Sequence, residues 1–148
     1  MYIPEVDTAF KEMYRVLKPG GRVSTAVWGQ RKNCGWAEIF PIVDSRVSSD
    51  VCPLFFQLGT GDLLKGSYEQ AGFRDIEVER ITTILKYDSA EDACEAAFLG
   101  GPVALAYARF NDQVKEEARA EYIRSIEPFR TATGYAIPGE FVVAVGYK

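Results

Sequence analysis

Hydrophobic and polar positions alternate along the chain in two periods, and the period changes where the turn residues fall. Val6, Ala9, Phe10, Met13, Val16 and Leu17 recur at helical spacing, while Lys11, Glu12, Arg15 and Lys18 fill the opposite side, which predicts an amphipathic helix over 6–17. Pro4 suits its first turn, and Glu5 and Asp7 complement its positive end. Pro19 cannot continue that helix, and Gly20 and Gly21 accept positive φ at little cost, so the chain reverses there. Val23 to Trp28, ended by Gly29, reads as a buried strand. Gly35 to about Val47 starts a short helix, and Val51, Leu54, Phe55, Phe56 and Leu58 form a second apolar cluster. Asp62 to Gly72 is predicted to be a helix stopped by Gly72. Ile76 and Val78 alternate with Glu77 and Glu79, but Ile81, Thr83, Leu85 and Tyr87 keep the opposite phase, so a bulge or two offset segments is expected near Arg80.

Beyond this strand the helical period returns. Ser89 with Asp92 three residues on is a capping arrangement for a helix to about Leu99. Gly100, Gly101 and Pro102 break it, and Val103 to Phe110 forms a second, short helix. Asn111 or Asp112 caps a third, whose stripe is Val114, Ala118, Tyr122, Ile126 and Phe129. Its charges, Lys115, Glu116, Glu117, Arg119, Glu121 and Arg124, read as a solvated face, and Pro128 ends it. Phe141 to Val145 is a continuous apolar run, the pattern of a strand buried on both faces.

Two stretches carry a family resemblance. The wording EMYRVLKPGGRV followed by a strand and Trp-Gly resembles the helix before strand five, and strand five itself, of class I S-adenosylmethionine-dependent methyltransferases. The group it is most similar to is the small-molecule methyltransferases related to quinone-biosynthesis enzymes. Glu69-Gln70-Ala71-Gly72-Phe73 followed by Ile76-Glu77-Val78 resembles the same family at the helix leading into strand six. The resemblance implies an α/β, partial Rossmann-like fold: a three-stranded sheet of order 5-7-6, with strand seven antiparallel between the others and a helical insertion between strands six and seven. It covers only the C-terminal half of the family's domain, so the whole of 1–148 is expected to be a single half-domain. The glycine-rich cofactor loop after strand one and the ribose-holding acid after strand two would both fall before Met1. By this resemblance no residue of the chain binds S-adenosylmethionine by itself. The segment Gln30–Thr60 is expected to cap a substrate pocket, and it and the helices of 89–130 are expected to overhang the carboxyl edge of the sheet.

Composition narrows the chemistry further. At 148 residues, 47% hydrophobic and 26% charged, the chain is long and apolar enough for a packed core. A net charge of −4 gives no electrostatic case for nucleic acid or an anionic membrane. No apolar run approaches a membrane span and the first residues do not form a signal peptide, so a cytoplasmic protein is expected. Cys34, Cys52 and Cys94, odd in number and far apart, are expected to be reduced thiols. With no histidine and no Cys-x-x-Cys pair, the usual nucleophile systems and metal sites have no candidate residues. Gly59-Thr60-Gly61 and Gly100-Gly101 do not follow a strand in the way a nucleotide loop requires.

The catalytic residues stay unassigned. The substrate-pocket candidates are Trp28, Trp36, Phe40, Tyr107 and Arg109, with Phe98 and Phe110 also in the aromatic lid. For each, ordinary packing competes with ligand contact. Two function classes therefore remain: the substrate-lid half of a methyltransferase, not competent alone, or a non-catalytic small-molecule-binding or structural module derived from one. In either, a homodimer is expected through the 23–28 strand edge or helix 6–17, because strand four, which flanks strand five in the family, is absent.

Overall fold

A computed structural model of the chain describes residues 3–47 and 51–148, with the backbone alone at 51–53. The elements in chain order are α1 (Val6–Val16), β1 (Arg22–Trp28), α2 (Ile39–Asp44), α3 (Val51–Gln57), α4 (Leu63–Ala71), β2 (Arg74–Tyr87), α5 (Ala90–Phe98), α6 (Ala104–Tyr107), α7 (Asp112–Ile126), β3 (Arg130–Thr131) and β4 (Gly134–Tyr147). The fold is mixed α/β. The long strands follow the order β1-β4-β2, so the C-terminal strand lies between the other two, and β3 pairs with β4 off that path. The sheet thus has four strands rather than three, and its order is not the bare 5-7-6. Thr131 returns against Gly134 across a tight turn and adds a short rung that the sequence pattern does not announce.

Several boundaries also move. Pro4 lies before α1, and Glu5 takes the cap position without a side-chain bond. The helix expected over 35–47 shrinks to Ile39–Asp44 after a 3-10 turn at Arg31–Asn33. The apolar cluster after residue 50 is a helix, α3, although the side chains of Val51 and Cys52 lie outside the described residues. β4 runs for 14 residues, far beyond 141–145. It is not buried on both faces: Val142 and Ala144 are buried, but Phe141, Val143 and Val145 are half-exposed. An antiparallel strand with helices on one face alternates in this way. β2 is one continuous strand, yet its shielded side chains change parity between Ile76 and the set Thr83, Leu85 and Tyr87, as the sequence pattern does.

The chain divides into two compact units. The first comprises residues 1–31, 53–82 and 140–148. Its core is Phe10, Val27, Leu58, Leu64, Tyr68, Phe73, Val142 and Ala144, with Met13, Leu17 and Val23 packed against it. Tyr68, fully buried, shares a hydrogen bond of 3.0 Å with the Thr25 hydroxyl and donates to the Ala144 carbonyl at 3.1 Å. α4 is thereby fixed over β1 and β4. α1 ends in an unusual cap: the Lys148 ammonium donates to the carbonyls of Tyr14, Arg15 and Leu17 at 2.8, 3.2 and 2.9 Å and lies 4.8 Å from the Tyr14 ring centre. Gly20 takes φ +75° in the turn that follows, as the Pro-Gly-Gly sequence requires.

The second unit comprises residues 32–52 and 83–139. α7 packs on α2 and α5. Ser89 caps α5, accepting from the Asp92 N–H at 3.0 Å, and Asn111 caps α7 through the Val114 N–H at 2.9 Å, both as the sequence predicts. Ala118, Tyr122 and Ile126 form the buried stripe of α7, whereas Phe129 falls in the 3-10 turn beyond it. Glu121 is less exposed than a solvated face implies, because Arg46 pairs with it at 2.8 Å.

Candidate functional site

The five aromatic and cationic candidates separate between the units. Trp28 belongs to the first, where it stacks on Phe141 with ring centres 4.2 Å apart. Trp36, Phe40, Tyr107 and Arg109 belong to the second. There Trp36 and Phe40 are buried, with centres 6.0 Å apart. Tyr107 is buried in a chain of rings, 4.5 Å from Phe98 and 5.9 Å from Phe110, and Lys115 sits over its face at 5.8 Å. Arg109 is exposed. Trp36 is thus brought to Phe40, and Tyr107 to the two lid aromatics Phe98 and Phe110. Packing accounts for these five rings, since edge-to-face and tilted pairs at such distances stabilise a core without any ligand.

The most ordered polar feature was not among the candidates. It is a knot at the end of β1, within the first unit. Glu140, 6% exposed, is the one buried charged residue among those described. Its carboxylate accepts the Gln30 N–H at 2.9 Å and pairs with the Arg80 guanidinium at 3.1 Å. Arg80 also donates to the carbonyl of Gly59 at 3.1 Å and to that of Gly61. One guanidinium therefore joins β2, β4 and the turn before α4. The glycines are required by closeness: a Cβ on Gly59 would collide with the Trp28 carbonyl, and one on Gly29 with the Glu140 carboxylate. Gly61 takes φ +54°. The sequence carries a signal for one partner only: Arg80 stands where the alternation of β2 slips, whereas Glu140 is marked only in the structure, where burial in β4 falls on two consecutive residues.

This arrangement settles what Gly59-Thr60-Gly61 does. A phosphate cradle presents N–H groups to its ligand. Here the turn presents the Gly59 and Gly61 carbonyls to Arg80, the Thr60 N–H donates to Gln57, and the acid Asp62 stands at the head of α4. The loop does not fit a phosphate or a nucleotide.

Among the described residues each unit carries a cleft that none of the five candidates lines. In the first unit a cleft of about 380 Å³ lies between the start of α1 and α4, lined by Val6, Asp7, Gln57, Asp62, Leu63 and Gln70 among others. Its one hydroxyl, Ser67, donates to the Leu63 carbonyl 3.1 Å away. In the second unit a cleft of about 530 Å³ lies between the head of α5 and the β3–β4 turn, with Asp88, Glu91, Arg130 and Tyr135 on its walls. Arg130 is held by Glu127 at 3.1 Å, and Tyr135 donates to the same carboxylate at 3.3 Å. The phenol of Tyr135 is pushed up by desolvation and by Glu127. Such groups suit hydrogen bonding to a polar molecule, not general acid–base work near neutral pH.

Among the described residues no three of His, Cys, Asp and Glu converge to hold a metal ion. No disulfide joins Cys34 and Cys94, which are both buried, and burial pushes the Cys94 thiol above its ordinary value. No described helix is long and apolar enough to cross a membrane. A comparison with known protein families finds none that matches the chain, and a search of curated proteins likewise finds no match.

Proposed function

We infer that residues 1–148 form the substrate-side portion of an S-adenosylmethionine-dependent small-molecule methyltransferase, and that this portion neither holds the methyl donor nor turns over by itself. The observation that carries the reading is the place of β4: it runs antiparallel to β1 and lies between β1 and β2, the two strands whose sequences resemble strands five and six. A C-terminal strand returning to the middle of a sheet is an uncommon connection, because sequential strands more often neighbour each other. The helix–Pro-Gly-Gly–strand passage into β1 supports the same reading. The occupied turn at Gly59–Gly61 and the lack of any other strand-borne glycine loop support the second half of the inference.

The test is a graft. The cofactor-binding strands one to four of a small-molecule methyltransferase are joined ahead of α1, and binding of the donor is followed calorimetrically. The graft is expected to bind S-adenosylmethionine and to methylate at least one member of a panel of phenolic and quinol acceptors. The chain without the graft is expected to show no binding. A low-micromolar dissociation constant for the chain alone, about −8 kcal/mol, overturns the inference, and so does a folded graft that binds the donor but methylates nothing. A non-catalytic binding module is the second reading, favoured by the commitment of the Glu140–Arg80 pair to structure. It is supported instead if apolar or aromatic compounds raise the melting temperature of the ungrafted chain.

A further inference from the structure

β1 is an edge strand, and its hydrogen-bond phase identifies which of its groups face outward. The Gly29 N–H donates to Glu140 and the Lys148 N–H donates to Gly21, at the two ends of the β1–β4 register. Close hydrogen-bonded pairs in an antiparallel ladder recur every second residue. The odd-numbered residues Val23, Thr25 and Val27 therefore exchange bonds with Gly146, Ala144 and Val142. Arg22, Ser24 and Ala26 direct their N–H and C=O groups to the other side, where no described residue meets them. All three are exposed.

Nothing along this edge deters a further strand. Natural edges are blunted by proline, bulges, inward charges or a covering segment. β1 has no proline, its register with β4 is unbroken over seven residues, and its one charge is Arg22 at the first position. The end of the edge is closed, because the Gly59 backbone lies against the Trp28 carbonyl. The open part is thus the five residues Arg22–Ala26.

We propose that this edge pairs with the same edge of a second copy of the chain, antiparallel about a two-fold axis at Ser24. The segment is self-complementary in that register. Ser24 faces its own copy, Val23 faces Thr25, and Arg22 faces the small, neutral Ala26. Each outward N–H meets an outward C=O, and the single charged side chain of each copy avoids its twin, which lies at the far end of the paired segment. An isologous contact of this kind closes on itself and does not propagate. In the same unit α1 leaves Ala9 and Met13 half-exposed and Val16 66% exposed. The pairing does not depend on the methyltransferase reading. If that reading also holds, the two assemblies exclude each other, because the cofactor-binding strands would add along the same edge.

Sedimentation equilibrium at tens of micromolar tests the proposal on the wild-type chain and two variants. Ala26→Pro removes an outward N–H without touching the β1–β4 ladder. Ser24→Lys keeps every backbone group but sets two like charges against each other at the axis. The wild type is expected to be a dimer, and each variant that retains the wild-type circular dichroism is expected to weaken it by at least about tenfold, or about 1.4 kcal/mol. A monomeric wild type overturns the proposal. A dimer that survives both substitutions overturns it equally, since it would rest on another surface. Should Ala26→Pro fail to fold, Ser24→Lys decides alone.

Discussion

At the scale of single residues, the decisive groups are polar ones taken out of water. Glu140 cannot be left unpaired where it lies, so Glu140→Ala is expected to expose the cost of that burial: Arg80 would lose its counter-charge and the Gln30 N–H its acceptor. Breaking a pair buried on both sides costs about 3–5 kcal/mol, and the low end, about 3 kcal/mol, is expected here because the Arg80 side chain is 33% exposed. The midpoint of urea unfolding measures it. Burial likewise holds the phenols of Tyr68, Tyr87 and Tyr122 above their ordinary value of 10.0, Tyr122 furthest. Each keeps its proton in the folded chain at a pH where the unfolded chain has lost it. Their contribution to stability is therefore whole below about pH 10 and falls as the pH rises through the raised folded values. Absorbance at alkaline pH should show Tyr68, Tyr87 and Tyr122 ionising above the ordinary phenol value while the chain is folded, Tyr122 furthest. Ionisation of all eight tyrosines in one step near pH 10, with the fold intact, would contradict the buried environments. Buried tyrosines are legible in the sequence as apolar-stripe positions. The buried glutamate is not, because a carboxylate in a polar-apolar alternation reads as solvated.

At the scale of elements, caps and turns carried most of the information. Ser89, Asn111, Gly20 and Gly72 act where the sequence places them, since each effect is local and needs no knowledge of what packs nearby. Asn111→Ala is expected to cost about 1 kcal/mol, read as a lower melting temperature. The C-terminal cap of α1 is different. Lys148 satisfies the Tyr14, Arg15 and Leu17 carbonyls from the far end of the chain, so only the tertiary structure could reveal it. Lys148→Met should keep the stem packed and remove the charge, lowering stability by about 1 kcal/mol. Hydrogen exchange would detect it as faster opening of the last turn of α1, with β1 unchanged.

At the scale of the whole molecule, neither compact unit is a continuous stretch. The second is assembled from 32–52 and 83–139, and its α7 stripe is covered by α2 from the earlier segment. A fragment 83–139 is therefore expected to lack the near-ultraviolet dichroism of packed aromatics, and a peptide 32–52 added in excess should restore part of it. A fully structured fragment would show that α2 is dispensable. The aromatic candidates illustrate the same point. Trp36, Phe40 and Tyr107 look alike in sequence as lid residues, but the structure resolves them into a tilted pair and a separate chain of rings, each with its own packing.

The sequence by itself determined the order of helices and strands apart from α3 and β3, the caps, the Pro-Gly-Gly reversal, the phase slip in β2 and the lack of histidine chemistry. These follow from periods of 3.6 and 2 and from backbone preferences, which act over a few residues. The tertiary structure alone decided the length of β4, the addition of β3, the use of Gly59 and Gly61 as acceptors for Arg80, and the outward phase of Arg22, Ser24 and Ala26. Each of these depends on which distant segment lies alongside. A hydrogen bond between residues 60 or 110 positions apart leaves no trace in a local pattern, yet at the end of β1 such bonds hold the strand, the turn and the buried charge together.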